Sequence, residues 1–182
     1  IRRVVAAMID PNPRTSGKGL QRLRQAGIEV VVGLLAEEAT ELNAPFITYI
    51  TERRPHVLWK TAATLDGKTA THTGASQWIT GPEARSLVHQ HRQQHDAIMV
   101  GIGTVLSDDP QLTARPEGED PAHIHQPVRI IVDSTLRIPV NARCIRPETP
   151  GRAIVATTEE ALPAKVEQLR KRQRQHDEID AL

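Results

Sequence analysis

Residues 96–104 read DAIMVGIGT: a short apolar run, a glycine, one residue, a second glycine and a hydroxyl. An apolar run of this length reads as a buried strand, and Gly101-x-Gly103 as the tight turn that follows it. The pair resembles the first half of a dinucleotide fingerprint, but the third glycine is missing, since position 106 is Leu. Alone it is a tight turn. Its surroundings add Thr104 at the same turn, where backbone N–H groups suit a phosphate. A second buried strand, VRIIVD (128–133), ends in Asp133-Ser134, and RAIVAT (152–157) reads as a third. Open α/β sheets place ligands at the carboxyl ends of their strands. Lys60–Ala62, Gly101–Thr104 and Asp133–Ser134 are therefore three polar points of one candidate cleft.

The flanks complete an α/β pattern. Pro82–His95 reads as a helix, residues 108–127 as a long surface loop carrying Pro110, Pro116, Pro121 and Pro127, and Ala161–Gln175 as a basic helix. Upstream, HVLWKTAATLDGKTA (56–70) reads as strand and GASQWIT (74–80) as loop. Trp78 stands out there, in a chain with two Trp, one Tyr and one Phe. Among small polar residues it is either a lid on the core or a flat wall for a bound ring. Nearer the start, Val4–Met8 reads as a strand, Asp10-Pro11-Asn12-Pro13 as a turn, LQRLRQAG (20–27) as a helix closing on Gly27, and IEVVVG (28–33) as a strand. Strand, helix and strand in succession imply a parallel sheet. Ala36–Arg54 reads as one helix stopped by Pro55. The expected organisation is a first α/β piece, 1–54, and a larger α/β domain, 55–182.

Composition bounds the function classes. The chain has 182 residues, 23 Lys+Arg against 22 Asp+Glu, and one cysteine, Cys144. No global field favours nucleic acid. No run approaches the roughly 18 apolar residues of a membrane span. The single thiol excludes an internal disulfide and points to a reducing, cytoplasmic setting. Ile1 opens in a strand-like run without an initiator Met, so the chain reads as a fragment.

Metal and arginine motifs each have a plainer reading. His91 and His95 have zincin-like spacing on a helix, but Arg92 stands where the pattern needs Glu. His123 and His125 have no carboxylate or thiolate at ligand spacing. His176-Asp177-Glu178 matches the H-x-E of zinc deaminases without the accompanying P-C-x-x-C. No metal site is expected in this chain. Arg92 and Arg115 are either solvated charges or the planar fork that suits a substrate phosphate.

KTAATLDGKTATHTGASQWIT (60–80), then Ala84-Arg85, His89-x-x-Arg92, DAIMVGIGTVLSDDPQLTAR (96–115) and PVRIIVDSTLRIP (127–139) closely resemble the reductase domain of the bifunctional riboflavin-biosynthesis deaminase–reductase family. DPNP, GKG (17–19), LQRLRQAGIEV (20–30) and EEATELNAPF (37–46) resemble the end of that family's deaminase domain. The resemblance implies the C-terminal part of a cytidine-deaminase-like domain followed by an incomplete dihydrofolate-reductase-like domain. It implies deamination of a diaminopyrimidinone ribosylamine phosphate and NADPH-dependent reduction of its ribosyl group to ribityl. Family cofactor contacts fall on Ala62, Trp78, Thr104, Asp108 and Ser134. Substrate contacts fall on Ser76, Arg92, Leu112 and Arg115. Lys60 and Asp108 match polar positions near the reacting centre, and Trp78 becomes a cofactor-side wall.

The deaminase zinc ligands and catalytic Glu would lie before Ile1, and a glutamate-and-glycine motif after Leu182. The fragment is accordingly expected to be inactive, and the parent protein to be bifunctional, cytoplasmic and a homodimer. Three readings compete: a standalone riboflavin-pathway reductase, a non-catalytic nucleotide-binding module, and an RNA-binding protein resting on LRKRQRQ (169–175). No aromatic platform accompanies that basic run.

Overall fold

The computed structural model describes residues 1–179, with side chains through Lys171. The chain divides into two compact units, Ile1–Thr61 and Ala62–Leu182.

The first unit pairs β1 (Arg3–Ala6) with β2 (Glu29–Val32) in parallel, Arg3 opposite Glu29, through helix α1 (Lys18–Gln25). The helix ends as its sequence dictates. Gly27 adopts φ +76° and Ile28 N–H donates to the Leu23 carbonyl at 3.1 Å, so a glycine takes the left-handed position that closes a helix. The single helix expected over 36–54 is two, α2 (Ala36–Leu42) and α3 (Ala44–Glu52). Pro45 explains the break, because it has no N–H to continue the helix by bonding the Glu41 carbonyl, whereas in the first turn of α3 that N–H is not needed. Arg53, at φ +56°, ends α3 two residues before Pro55. No residue of this unit is fully buried.

In the second unit, β3 (Ala97–Gly101), β4 (Val128–Val132) and β5 (Ala153–Ala156) form a parallel sheet in that order. Helix α4 (Pro82–Gln94) precedes β3, α5 (Ile102–Asp108) follows it, and α6 (Pro163–Ile179) follows β5. Strand alternation separates two faces. Ile98, Val100, Ile131 and Val155 pack with Val105, Leu112, Leu136, Ile138 and Cys144 into the core, which Val166 and Leu169 of α6 also join. The opposite face leaves Met99 and Val132 exposed. Side chains of the basic run beyond Lys171, and those of His176 and Glu178, lie outside the described residues.

Two sequence expectations are corrected. Residues 56–70 form no strand; they run irregularly, with Val57, Leu58, Trp59 and Leu65 exposed. A strand needs a partner ladder, and this run has none among the described residues. It closes into a turn instead, where Thr64 N–H donates to the Lys68 carbonyl at 2.9 Å and Lys68 N–H to the Thr64 hydroxyl at 3.0 Å. Residues 108–127 are not wholly a surface loop either. Leu112, Thr113, Ala114 and Pro116 are buried, because the first half of the segment turns inward against the core.

Candidate functional site

The sheet positions the first part of the site. Its parallel strands end together at Gly101, Val132 and Ala156. Thr104 lies in the first turn of α5 just beyond β3, and Ser134 lies just beyond the adjacent β4. Both are exposed at the carboxyl edge. Asp108, at the far end of α5, is also exposed, and its carboxylate accepts from the Ser107 hydroxyl at 2.8 Å. The Ser134 carbonyl is tied to the loop after β5 by the Thr157 and Thr158 hydroxyls, at 3.0 and 2.9 Å. Behind this edge Asp133, fully buried, accepts the Ile138 N–H at 2.7 Å through Oδ2 and fixes the turn after β4.

Helix α4 positions the second part. Arg85, His89 and Arg92 are spaced i, i+4 and i+7, which places them on one face. Arg85 donates to the Thr80 carbonyl at 2.7 Å and lies over the Trp78 ring, 4.4 Å from its centroid. Trp78 is 72% exposed, which rules out the lid-on-the-core reading. Ser76 and Ala62 are half-buried in the same irregular segment.

Further along α4, Arg92 Nη1 donates to the Thr113 carbonyl at 3.1 Å, and His89 Nδ1 accepts the Arg115 N–H at 3.2 Å. Between those two bonds, the Gln126 amide pairs with both backbone groups of Ala114, at 3.0 and 2.9 Å. The side chain of Gln126 thus stands in for a neighbouring strand. It satisfies backbone that would be costly to bury alone. The turn brings Leu112 and Arg115 beside Arg92. Leu112 has φ +60° and its side chain is in the core, so any ligand contact it makes must come from its backbone. Arg115 is exposed and its guanidinium bonds the Gln111 amide oxygen.

The electrostatics of this corner are one-sided. Burial, and then Arg115, pull Arg92 below its ordinary range; burial, then Arg92 and Arg115, pull His89 down, with the Thr113 carbonyl opposing. No ion pair among the described residues involves Arg92 or Arg115. Arg92 Nε and the Thr113 hydroxyl are buried with no hydrogen-bond partner. Clustered cations without carboxylates, with donors in reserve, form a place for an anion.

The structure therefore brings Thr104 and Ser134 to one sheet edge, with Asp108 at the far end of the helix that starts there, and Arg92, Leu112 and Arg115 to one turn. Lys60 belongs to the first unit, where it is exposed. His91 and His95 do not meet as a ligand pair: the His95 ring is bonded to the His91 carbonyl at 2.6 Å. Sequence reasoning missed Arg85, His89 and Gln126. The i, i+4, i+7 spacing was a readable signal for the first two; nothing local marks Gln126. No helix among the described residues is long and apolar enough to cross a membrane.

A family model described as the RibD C-terminal domain matches residues 55–182. The chain is similar to riboflavin biosynthesis protein RibD of Aquifex aeolicus, 46% identical over 168 residues, covering 92% of this chain and 46% of that protein. It is 47% identical over 170 residues to the RibD of Actinobacillus pleuropneumoniae, covering 93% of this chain and 44% of that protein. Among solved structures it resembles the Thermotoga maritima diaminohydroxyphosphoribosylaminopyrimidine deaminase/5-amino-6-(5-phosphoribosylamino)uracil reductase. The TM-score there is 0.76 at 44% identity, covering 91% of this chain and 46% of that one. The chain spans about half the length of the relatives it matches.

Proposed function

This chain belongs to the RibD C-terminal domain family, and from that membership we propose that it carries the reductase cleft of a riboflavin-biosynthesis enzyme. The reaction is reduction of the ribosyl group of 5-amino-6-(5-phosphoribosylamino)uracil to a ribityl chain. The first unit is assigned to the deaminase half of the same two-domain protein, whose zinc would be held by residues outside this chain. The observation that supports the reading is the cationic corner: Arg92 bonds the 112–115 turn that carries Arg115, and neither arginine has an acidic partner among the described residues, in the unit whose parallel sheet ends at Thr104 and Ser134.

The residues fit a dinucleotide and a phosphorylated substrate. Thr104 and Ser134 present hydroxyls at the strand ends where such ligands bind. Trp78 offers an exposed ring face braced by Arg85. NADPH, when bound, would supply the hydride delivered to C1′ of the ribosyl group, while the C1′–O4′ bond breaks and O4′ takes a proton from solvent. Arg115 and Arg92 hold the phosphate, and the Leu112 backbone and Ser76 fix the substrate against the turn. Asp108 is assigned as a polar group near the reacting centre, a role that the family resemblance alone implies for Lys60. Their contribution is placement, since hydride transfer needs alignment more than a strong acid or base. The protein is further proposed to act as a cytoplasmic homodimer.

The test is an assay of the natural full-length protein for NADPH oxidation with 5-amino-6-(5-phosphoribosylamino)uracil. Saturable oxidation that depends on this substrate is expected. No oxidation above a substrate-free control would overturn the assignment.

A further inference from the structure

We propose that His89 is a positioning residue for Arg115, setting substrate affinity through the backbone of the turn rather than by touching substrate. The proposal rests on the reading that Arg115 holds the substrate phosphate. Ala114 is fully buried and Thr113 is 3% exposed, so this backbone cannot rely on water for its hydrogen bonds. Side chains take that place. Arg92 takes the Thr113 carbonyl, Gln126 takes both groups of Ala114, and His89 takes the Arg115 N–H.

His89 is the clamp on Arg115 itself. Its Nδ1 accepts, so that nitrogen carries no proton, and the bond fixes the Cα from which the guanidinium extends. α4 also carries Arg92 three residues on, so one helix sets both arginines of the anion site in fixed relation. Small displacements at a charged, oriented contact are costly, which is why a residue behind the arginine matters.

The shape of the imidazole gives a discriminating experiment. An Asn at position 89 would place its carbonyl oxygen near the Nδ1 site; a Gln would place it near Nε2. In full-length protein, His89→Ala should raise KM for 5-amino-6-(5-phosphoribosylamino)uracil about two- to tenfold, the range of one neutral hydrogen bond. The kcat and the NADPH KM should stay near wild type. His89→Asn should return KM to within about twofold of wild type, and His89→Gln should behave like Ala. Arg115→Ala is measured alongside. If Arg115→Ala raises KM and His89→Ala does not, the positioning role falls while the phosphate reading stands. If Arg115→Ala leaves KM unchanged, the phosphate reading itself fails and takes this proposal with it. If the Ala, Asn and Gln variants all raise both KM values and lower the melting temperature alike, His89 is a general structural residue and the proposal is wrong.

Discussion

Arg85 lies over the Trp78 ring, 4.4 Å from its centroid, while its Nη1 holds the Thr80 carbonyl at 2.7 Å. A helix cation thereby braces an aromatic ring that is itself 72% exposed. A cation–π contact at an exposed site contributes about 0.5–1 kcal/mol. Arg85→Ala should therefore raise the NADPH KM about two- to fivefold by freeing the ring. Trp78→Ala should raise it further, and adding Arg85→Ala to Trp78→Ala should bring little more. Melting temperatures should barely move. A large loss of stability with unchanged NADPH KM would place Trp78 in packing rather than in the cleft.

Leu112 should divide stability from binding. Its side chain lies in the core with Val105, Ile131 and Leu136. Leu112→Ala should cost about 2–5 kcal/mol, read from urea unfolding. A cost below about 1 kcal/mol would mean that the turn is not anchored by this side chain.

His89 makes stability depend on pH with a definite sign. Burial and the neighbouring Arg92 and Arg115 lower its pKa below the ordinary 6.5, with only the Thr113 carbonyl opposing. Between the lowered value and 6.5 the unfolded chain binds more protons than the folded one, so stability rises with pH there. Stability should fall as pH drops below about 6.5, and His89→Asn should flatten that slope. The exposed Asp10 and Asp66 act in a separate window below 3.8, because hydrogen bonds from Thr15 and Thr64 lower them. Unfolding curves across the mildly acid range check this, and an unchanged slope in His89→Asn would refute it.

Cys144 should be silent. It is fully buried, and burial pushes its thiol up, so the thiolate that reacts is scarce. A thiol reagent should leave Cys144 unlabelled in native protein and label it in denaturant. Fast native labelling would show that the core around Ile138 opens readily.

Local pattern made most of the second unit legible. The runs AIMVG and VRIIV are strands because their β-branched and apolar residues suit a buried parallel sheet, and α4 starts at Pro82 and Glu83 as helix chemistry favours. The general geometry of parallel sheets, whose strands end together, puts Thr104 and Ser134 at one edge from sequence alone. Residues 56–70 were misread because strand propensity says nothing about whether a partner ladder is present. The break at Asn43 is readable from Pro45. Gln126 was not readable: a side chain replacing a strand twelve residues from Ala114 leaves no periodic mark. The turn at 112–115 is hidden for the same reason, since the flanking Pro110 and Pro116 and the charge of Arg115 look like surface while its backbone is held by three side chains.

The central claim is that the turn carrying Arg115 takes the substrate phosphate. It is tested most directly by measuring KM in full-length protein for 5-amino-6-(5-phosphoribosylamino)uracil and for its phosphate-free counterpart, in wild type and in Arg115→Ala. A hydrogen bond to a charged group contributes about 1.5–3 kcal/mol, so Arg115→Ala should raise KM for the phosphorylated substrate about ten- to a hundredfold. KM for the phosphate-free compound and for NADPH should stay within about twofold, since neither reaches Arg115. Equal losses on the phosphorylated and phosphate-free substrates would contradict the assignment and place the phosphate elsewhere.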